Sequence, residues 1–163
     1  MNVEGCLACD LASGRRPLPG GVIHQRDGWV IEHCVGPLGV GTLIAKPRRH
    51  VTRVTDLDTE EAAALGPMLV RAAQVVTALT DPEQVYVTLW SHADGVPGHV
   101  HFVIQPVTSE TMAAHGGKYG LPLQTAMFEE GVAPDASEVE AFAARAGRLF
   151  ADPAVLGRDD GFS

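Results

Sequence analysis

A chain of 163 residues with 45% apolar and 20% charged residues has the size and composition of one soluble globular domain with a real core. A net charge of −8 and a pI near 5.2 argue against nucleic acid or an anionic membrane as partner, since both repel an acidic protein. No apolar run reads as long enough to span a bilayer, and Met1-Asn2-Val3-Glu4-Gly5 lacks a basic or apolar leader region, so the chain reads as cytoplasmic.

Cys6 and Cys9 open the chain as Cys-x-x-Cys, and Cys34 is the third cysteine. A reducing compartment disfavours a structural disulfide. The spacing then reads as a metal knuckle or a redox pair. Only five residues precede Cys6, too few for the strand a thioredoxin-like pair requires. A knuckle needs two further ligands from elsewhere in the chain. Leu11 to Pro19 reads as a polar connection. Gly21–Arg26 and Trp29–Cys34 read as strands joined at Asp27-Gly28, a dipeptide suited to a tight hairpin turn. Val35–Gly41, with three glycines and Pro37, reads as a loop. Thr42–Lys46 is a third strand closed by Pro47.

A long helix starts near Asp58, which forms a capping-box pattern with Glu61. Ala62, Leu65, Met68, Leu69, Ala72, Val75, Val76 and Leu79 recur at helical spacing. Pro67 falls inside that pattern and should kink the helix or reset its start. Val85–Trp90 reads as a fourth strand with Trp90 in the core, and residues 99–106 as a fifth. Ser137 and Glu140 mark a C-terminal helix whose buried stripe is Val139, Phe142, Ala143, Ala146, Leu149 and Phe150. The residues from Asp152 to Ser163 read as frayed. The whole is an α+β arrangement: one domain over residues 1–163, with a mostly antiparallel sheet of about five strands, one long central helix and C-terminal helices. Its core covers about 5–107, and a helical extension about 108–152.

The stretch Gly98-His99-Val100-His101-Phe102-Val103-Ile104-Gln105-Pro106 carries the chemistry. Side chains alternate along a strand. His99, His101, Val103 and Gln105 should therefore share one wet face, with Val100, Phe102 and Ile104 on the core face.

Cys6-x-x-Cys9, then Lys46-Pro47-Arg48-Arg49-His50, then the acidic helix start, then His99-x-His101 fall in one order. In that order the chain resembles the histidine triad superfamily over roughly residues 5 to 107. The resemblance implies a nucleotide hydrolase or nucleotidyltransferase working through a nucleotidyl-histidine intermediate. It also implies a homodimer whose sheets join across a two-fold axis, and a small nucleotide as substrate. In zinc-containing members the metal is held by residues that match Cys6, Cys9, His50 and His99. Cys₂His₂ is a closed tetrahedral set suited to structural Zn²⁺. The nucleophile of the family matches His101, whose neutral imidazole would attack an α-phosphorus.

The sequence departs from the family pattern in three places. The third histidine is Val103, giving His-x-His-x-Val; the uridylyltransferase branch has glutamine there, and Gln105, two residues on, is a partial substitute. The Gln-Ser/Thr-Val before the strand is replaced by Gly95-Val96-Pro97-Gly98, which retains backbone N–H groups for an anion. The ribose-binding acidic residue falls near Cys34, with His33 beside it as a candidate sugar contact. Ser91 and His92 are candidate substitutes for lost polar groups, with His92 a replacement general acid, whereas Lys46, Arg48 and Arg49 read as surface charge. Two readings follow: an enzyme acting on a dinucleoside polyphosphate, nucleoside phosphoramidate or sugar nucleotide, or a catalytically weakened nucleotide-binding protein on the same scaffold.

Overall fold

The computed structural model describes residues 3–93 and 96–152. In chain order the elements are α1 (Leu7–Ala12), β1 (Val22–Arg26), β2 (Trp29–His33), β3 (Leu43–Pro47), α2 (Thr59–Thr80), β4 (Gln84–Leu89), β5 (His92–Ala93), β6 (Val96–Pro97), β7 (Phe102–Val107), α3 (Ser109–Ala114), α4 (Gly120–Glu130) and α5 (Ala136–Ala151). Five strands form one antiparallel sheet in the order β1-β2-β3-β7-β4. This is the expected α+β class. The last strand in sequence is inserted between β3 and β4, so the residues leading into it enter near the middle of the sheet.

Local chemistry explains the elements. Asp27 and Gly28 both have positive φ, +48° and +81°, as a tight hairpin turn requires. Asp58 caps α2, accepting from the Glu61 N–H at 2.8 Å, while the Glu61 carboxylate accepts from the Asp58 N–H at 3.0 Å. The helix runs on through Pro67 as one element. The last helix starts earlier than Ser137 and Glu140 predict. Its cap is Asp135, whose carboxylate accepts from the Ser137 and Glu138 N–H groups. The tail from residue 153, expected to fray, lies outside the described residues, as do Asp94 and Gly95 of the expected loop.

One face of the sheet packs on α2 and α5. Trp29, Ile31, Leu43, Ala45 and Ile104 meet Met68, Ala72, Val75, Val76, Phe142, Ala146 and Phe150. At 22 residues, with a window of mean hydropathy 1.4, α2 does have the length and apolarity of a membrane span. That corrects the reading that no stretch does, but the apolar stripe of the helix lies on the sheet. The opposite face is covered in part by α4, with Leu123 and Met127 against Cys34, Leu38, Val103 and Val107.

This second covering corrects the sequence reading at the fifth strand. The strand begins at Phe102, not at His99, and its supposed wet face is buried: Val103 is 7% and Gln105 0% exposed. Period-two alternation of polar and apolar side chains reports one wet face only when nothing later in the chain covers it.

Candidate metal centre and nucleophile site

Cys6 is the N-cap of α1 and Cys9 lies in its first turn, three residues on and therefore on the same side of the helix. His50 leaves β3 after Pro47, and His99 precedes β7. The four ligand atoms lie within 4.8 Å of one another. Cys9 Sγ is 3.4 Å from His50 Nδ1 and 3.6 Å from His99 Nδ1, and Cys6 Sγ is 3.9 Å from His99 Nδ1. Tetrahedral zinc with ordinary Zn–S and Zn–N bonds sets its donors roughly 3.3–3.8 Å apart. The donor set therefore fits Zn²⁺ in identity and count, with two of the printed separations inside that range and all of the donors within 4.8 Å.

The tautomer fits as well. His99 Nε2 lies 2.9 Å from the Pro47 carbonyl oxygen. A carbonyl only accepts, so Nε2 carries the proton and Nδ1 points its lone pair into the cluster. Burial pushes the His99 imidazole down to about 4, which keeps it neutral. Burial also pushes the Cys9 thiol up, so metal binding would displace a proton there.

His101 is two residues beyond His99 and half-buried. Its Nδ1 lies 2.9 Å from the His99 carbonyl oxygen. The same logic places the proton on Nδ1 and leaves the Nε2 lone pair available. Ala45 and Leu89 both register with Phe102. His101, one step before Phe102, is thereby flanked by Lys46 on the β3 side and Trp90 on the β4 side, on the face that carries α4.

These two flanking residues correct the sequence reading. Lys46 is not surface charge: it is 1% exposed, ion-paired with Glu32 at 2.6 Å, and donates to the Ala8 carbonyl of α1 at 2.8 Å. The other Glu32 oxygen, Oε2, is buried without a hydrogen-bond partner. Burial raises the Glu32 carboxyl, and Lys46 opposes that shift. The pair was legible only as a charge set within each of two apolar strands. Trp90 is not core: it is 41% exposed and stacks on Phe128 of α4 at 5.9 Å. Arg49, also read as surface charge, holds Glu61 with two contacts of 2.8 and 2.6 Å.

The candidate substrate contacts divide. Gln105 is sealed beneath α4. Its Oε1 accepts from Gln124 at 2.9 Å, and its Nε2 faces the Leu38 carbonyl and Met127 Sδ. His33 is 1% exposed, with Nδ1 donating to the Cys34 carbonyl at 2.8 Å and Nε2 accepting from the Gly41 N–H at 2.9 Å. Both of its nitrogens are engaged in holding the β2–β3 loop. Ser91 and exposed His92 follow Trp90, and the Ser91 carbonyl accepts from the Gly98 N–H. Beside Cys34 lies a cavity of about 450 Å³ lined by Leu7, Leu11, Arg16, Val35 and Val139 among others.

No family model and no curated protein matches the sequence. Solved structures do match. A HIT-like protein involved in cell-cycle regulation from Bartonella henselae is 15% identical, with a TM-score of 0.68 over 90% of this chain and 97% of that one. A zinc-bound histidine triad family protein from Mycobacterium smegmatis is 18% identical, with a TM-score of 0.64 over 90% and 96%. A hypothetical histidine triad nucleotide-binding protein from Sulfolobus tokodaii is 14% identical, with a TM-score of 0.67 over 96% and 97%. At these identities the likeness is one of fold: this chain folds as these histidine triad proteins do.

Proposed function

We propose that the protein binds a nucleotide and cleaves or transfers it at the α-phosphate, with His101 as nucleophile. The observation that carries this reading is the bond from His101 Nδ1 to the His99 carbonyl, which aims an unprotonated Nε2 at a reacting phosphorus. In the first step the Nε2 lone pair forms a bond to the α-phosphorus. The bond from phosphorus to the leaving oxygen or nitrogen breaks, and the leaving group takes that electron pair and, where basic, a proton from solvent or His92. In the second step water adds to phosphorus, the P–N bond breaks, the imidazole recovers its pair, and the water proton passes to solvent. The nucleoside half occupies the cavity beside Cys34, whose apolar side chains suit a base. The S. tokodaii neighbour, described as nucleotide-binding, agrees with this reading.

Zinc, held by Cys6, Cys9, His50 and His99, would supply structure rather than reactivity. His99 is one of these ligands, and its carbonyl orients His101, so the fold support and the nucleophile share a residue. A dithiol zinc site supports a reducing cytoplasm as the compartment. A homodimer through the open edge of β4 is supported by exposed Val87 and Leu89 on that strand.

The test is turnover on dinucleoside polyphosphates, an adenosine phosphoramidate and a sugar nucleotide, with His101→Ala beside the natural protein. Products that vanish in the variant support the nucleophile. A second reading, a nucleotide-binding protein without turnover, is favoured by Val103, an apolar residue packed in the α4 cluster. Saturable nucleotide binding with no product from any member of the panel would establish it.

A further inference from the structure

We infer that Arg16 makes the nucleoside cavity selective for a 6-oxopurine, guanine or hypoxanthine, over adenine. This rests on the reading that the nucleoside half lies in the cavity beside Cys34. Among the described residues, the polar side chains lining that cavity of about 450 Å³ are Arg16, His33 and Cys34, and no carboxylate lines it. His33 has both ring nitrogens engaged, with the Cys34 carbonyl and the Gly41 N–H. The Cys34 thiol is a weak partner and already receives the Gly36 N–H at 3.3 Å. Arg16 remains, and its guanidinium has no partner among the described residues. The preceding Arg15, by contrast, is held by Asp10 at 2.7 Å.

The local chain fixes where Arg16 stands. Its N–H donates to the Asp10 carbonyl at 3.2 Å, which ties it back to α1. Pro17 follows, and a residue before proline is confined to extended backbone. A guanidinium offers donors and no acceptor. Guanine and hypoxanthine present two acceptors side by side, O6 and N7, which the planar fork meets with two hydrogen bonds. Adenine keeps N7 but carries an amine in place of O6, so one N–H of the fork faces another donor. Phosphate is the other group a guanidinium holds, and the strand register assigns the α-phosphate elsewhere. His33 is level with Leu43, and Leu43 with Ile104. Cys34 therefore lies four residues along the strands from His101, about 13 Å. An α-phosphorus at His101 leaves the far end of the nucleotide, its base, for the cavity and Arg16.

The experiment is calorimetry with four nucleoside 5′-monophosphates, which have no leaving group and so report binding alone. They are GMP, IMP, AMP and 7-deazaguanosine monophosphate, which lacks the N7 acceptor. Arg16→Ala and Arg16→Gln are measured beside the natural protein; Arg16 is exposed, so both variants should keep the natural Tm. GMP and IMP should bind within about twofold of each other and about tenfold more tightly than AMP, the scale of one bidentate contact to a base edge. The 7-deaza compound should lose most of that advantage. Arg16→Ala should bring GMP and IMP down to the level of AMP and leave AMP within about threefold. Arg16→Gln, whose amide both donates and accepts, should also remove the preference, because that pattern matches adenine. Equal binding of GMP and AMP by the natural protein overturns the selectivity and leaves nucleotide binding standing. A preference for GMP that survives Arg16→Ala overturns the role of Arg16. An equal loss for all four compounds in Arg16→Ala identifies a phosphate contact and overturns base reading. Failure of the folded natural protein to bind any of the four overturns both this inference and the nucleotide-binding reading beneath it.

Discussion

The buried ion pair of Glu32 and Lys46 should be dispensable as a pair and indispensable singly. The side chains are 3% and 1% exposed and 2.6 Å apart. At an effective dielectric of 20 their attraction is about 6 kcal/mol. Removing two ions from water costs several kcal/mol each, so the pair is close to neutral as a whole. The orphaned Oε2 of Glu32 tilts it further toward cost. Glu32→Gln leaves the Lys46 ammonium buried without a counter-charge and should destabilise by about 3–5 kcal/mol. Lys46→Met leaves a carboxylate that can escape by taking a proton, and burial already raises this carboxyl above its ordinary value of 4.5. A raised carboxyl binds protons more tightly in the folded state, so Lys46→Met should be least damaged in acid and lose stability as pH rises above about 4.5. Glu32→Leu with Lys46→Met should return to within about 1 kcal/mol of the natural protein, the residual being the lost bond to the Ala8 carbonyl. Urea unfolding of zinc-loaded protein, followed by the fluorescence of buried Trp29, measures all four. A double variant as unstable as the sum of the two single ones would refute the reasoning.

Removing the metal should cost fold stability as well as zinc: Cys9→Ser and His50→Ala should each lose zinc stoichiometry by elemental analysis and lower the Tm, and a strong chelator should lower the natural protein's Tm toward theirs. His33, whose imidazole burial holds below its ordinary value of 6.5, contributes stability that is fully present above that pH. The contribution is lost as pH falls below 6.5, because a charged ring gives up the Gly41 N–H; unfolding midpoints measured between pH 5 and 8 should rise with pH, and His33→Gln should flatten part of that slope. Placing a third histidine on the strand with Val103→His should destabilise by about 2–3 kcal/mol rather than raise turnover, because the ring would enter the apolar cluster of Leu123 and Met127 without a partner; higher turnover with unchanged stability would show that α4 leaves that position open.

The first hundred residues were more legible than the last sixty, and the reason is the range over which their signals act. The Asp27-Gly28 turn and the Asp58–Glu61 capping box are satisfied by neighbours in sequence, so residue type and spacing alone determine them. The candidate metal set spans from Cys6 to His99, yet it was readable because its two cysteines and two histidines appear in a known order. What could not be read is what covers the second face of the sheet. Gln105 looks like a polar residue awaiting a ligand until Gln124, nineteen residues later, is seen to satisfy it. Lys46 looks solvated until Glu32 and the Ala8 carbonyl are found above and beside it.

The covering of that face also gives the valine at residue 103 a physical cause. Val103, Val107 and Gln105 lie where α4 rests, and each is suited to that contact: two apolar residues against Leu123 and Met127, and one amide matched by an amide. A histidine at residue 103 would be desolvated there. The ground still open to a substrate is then narrower than in a bare sheet.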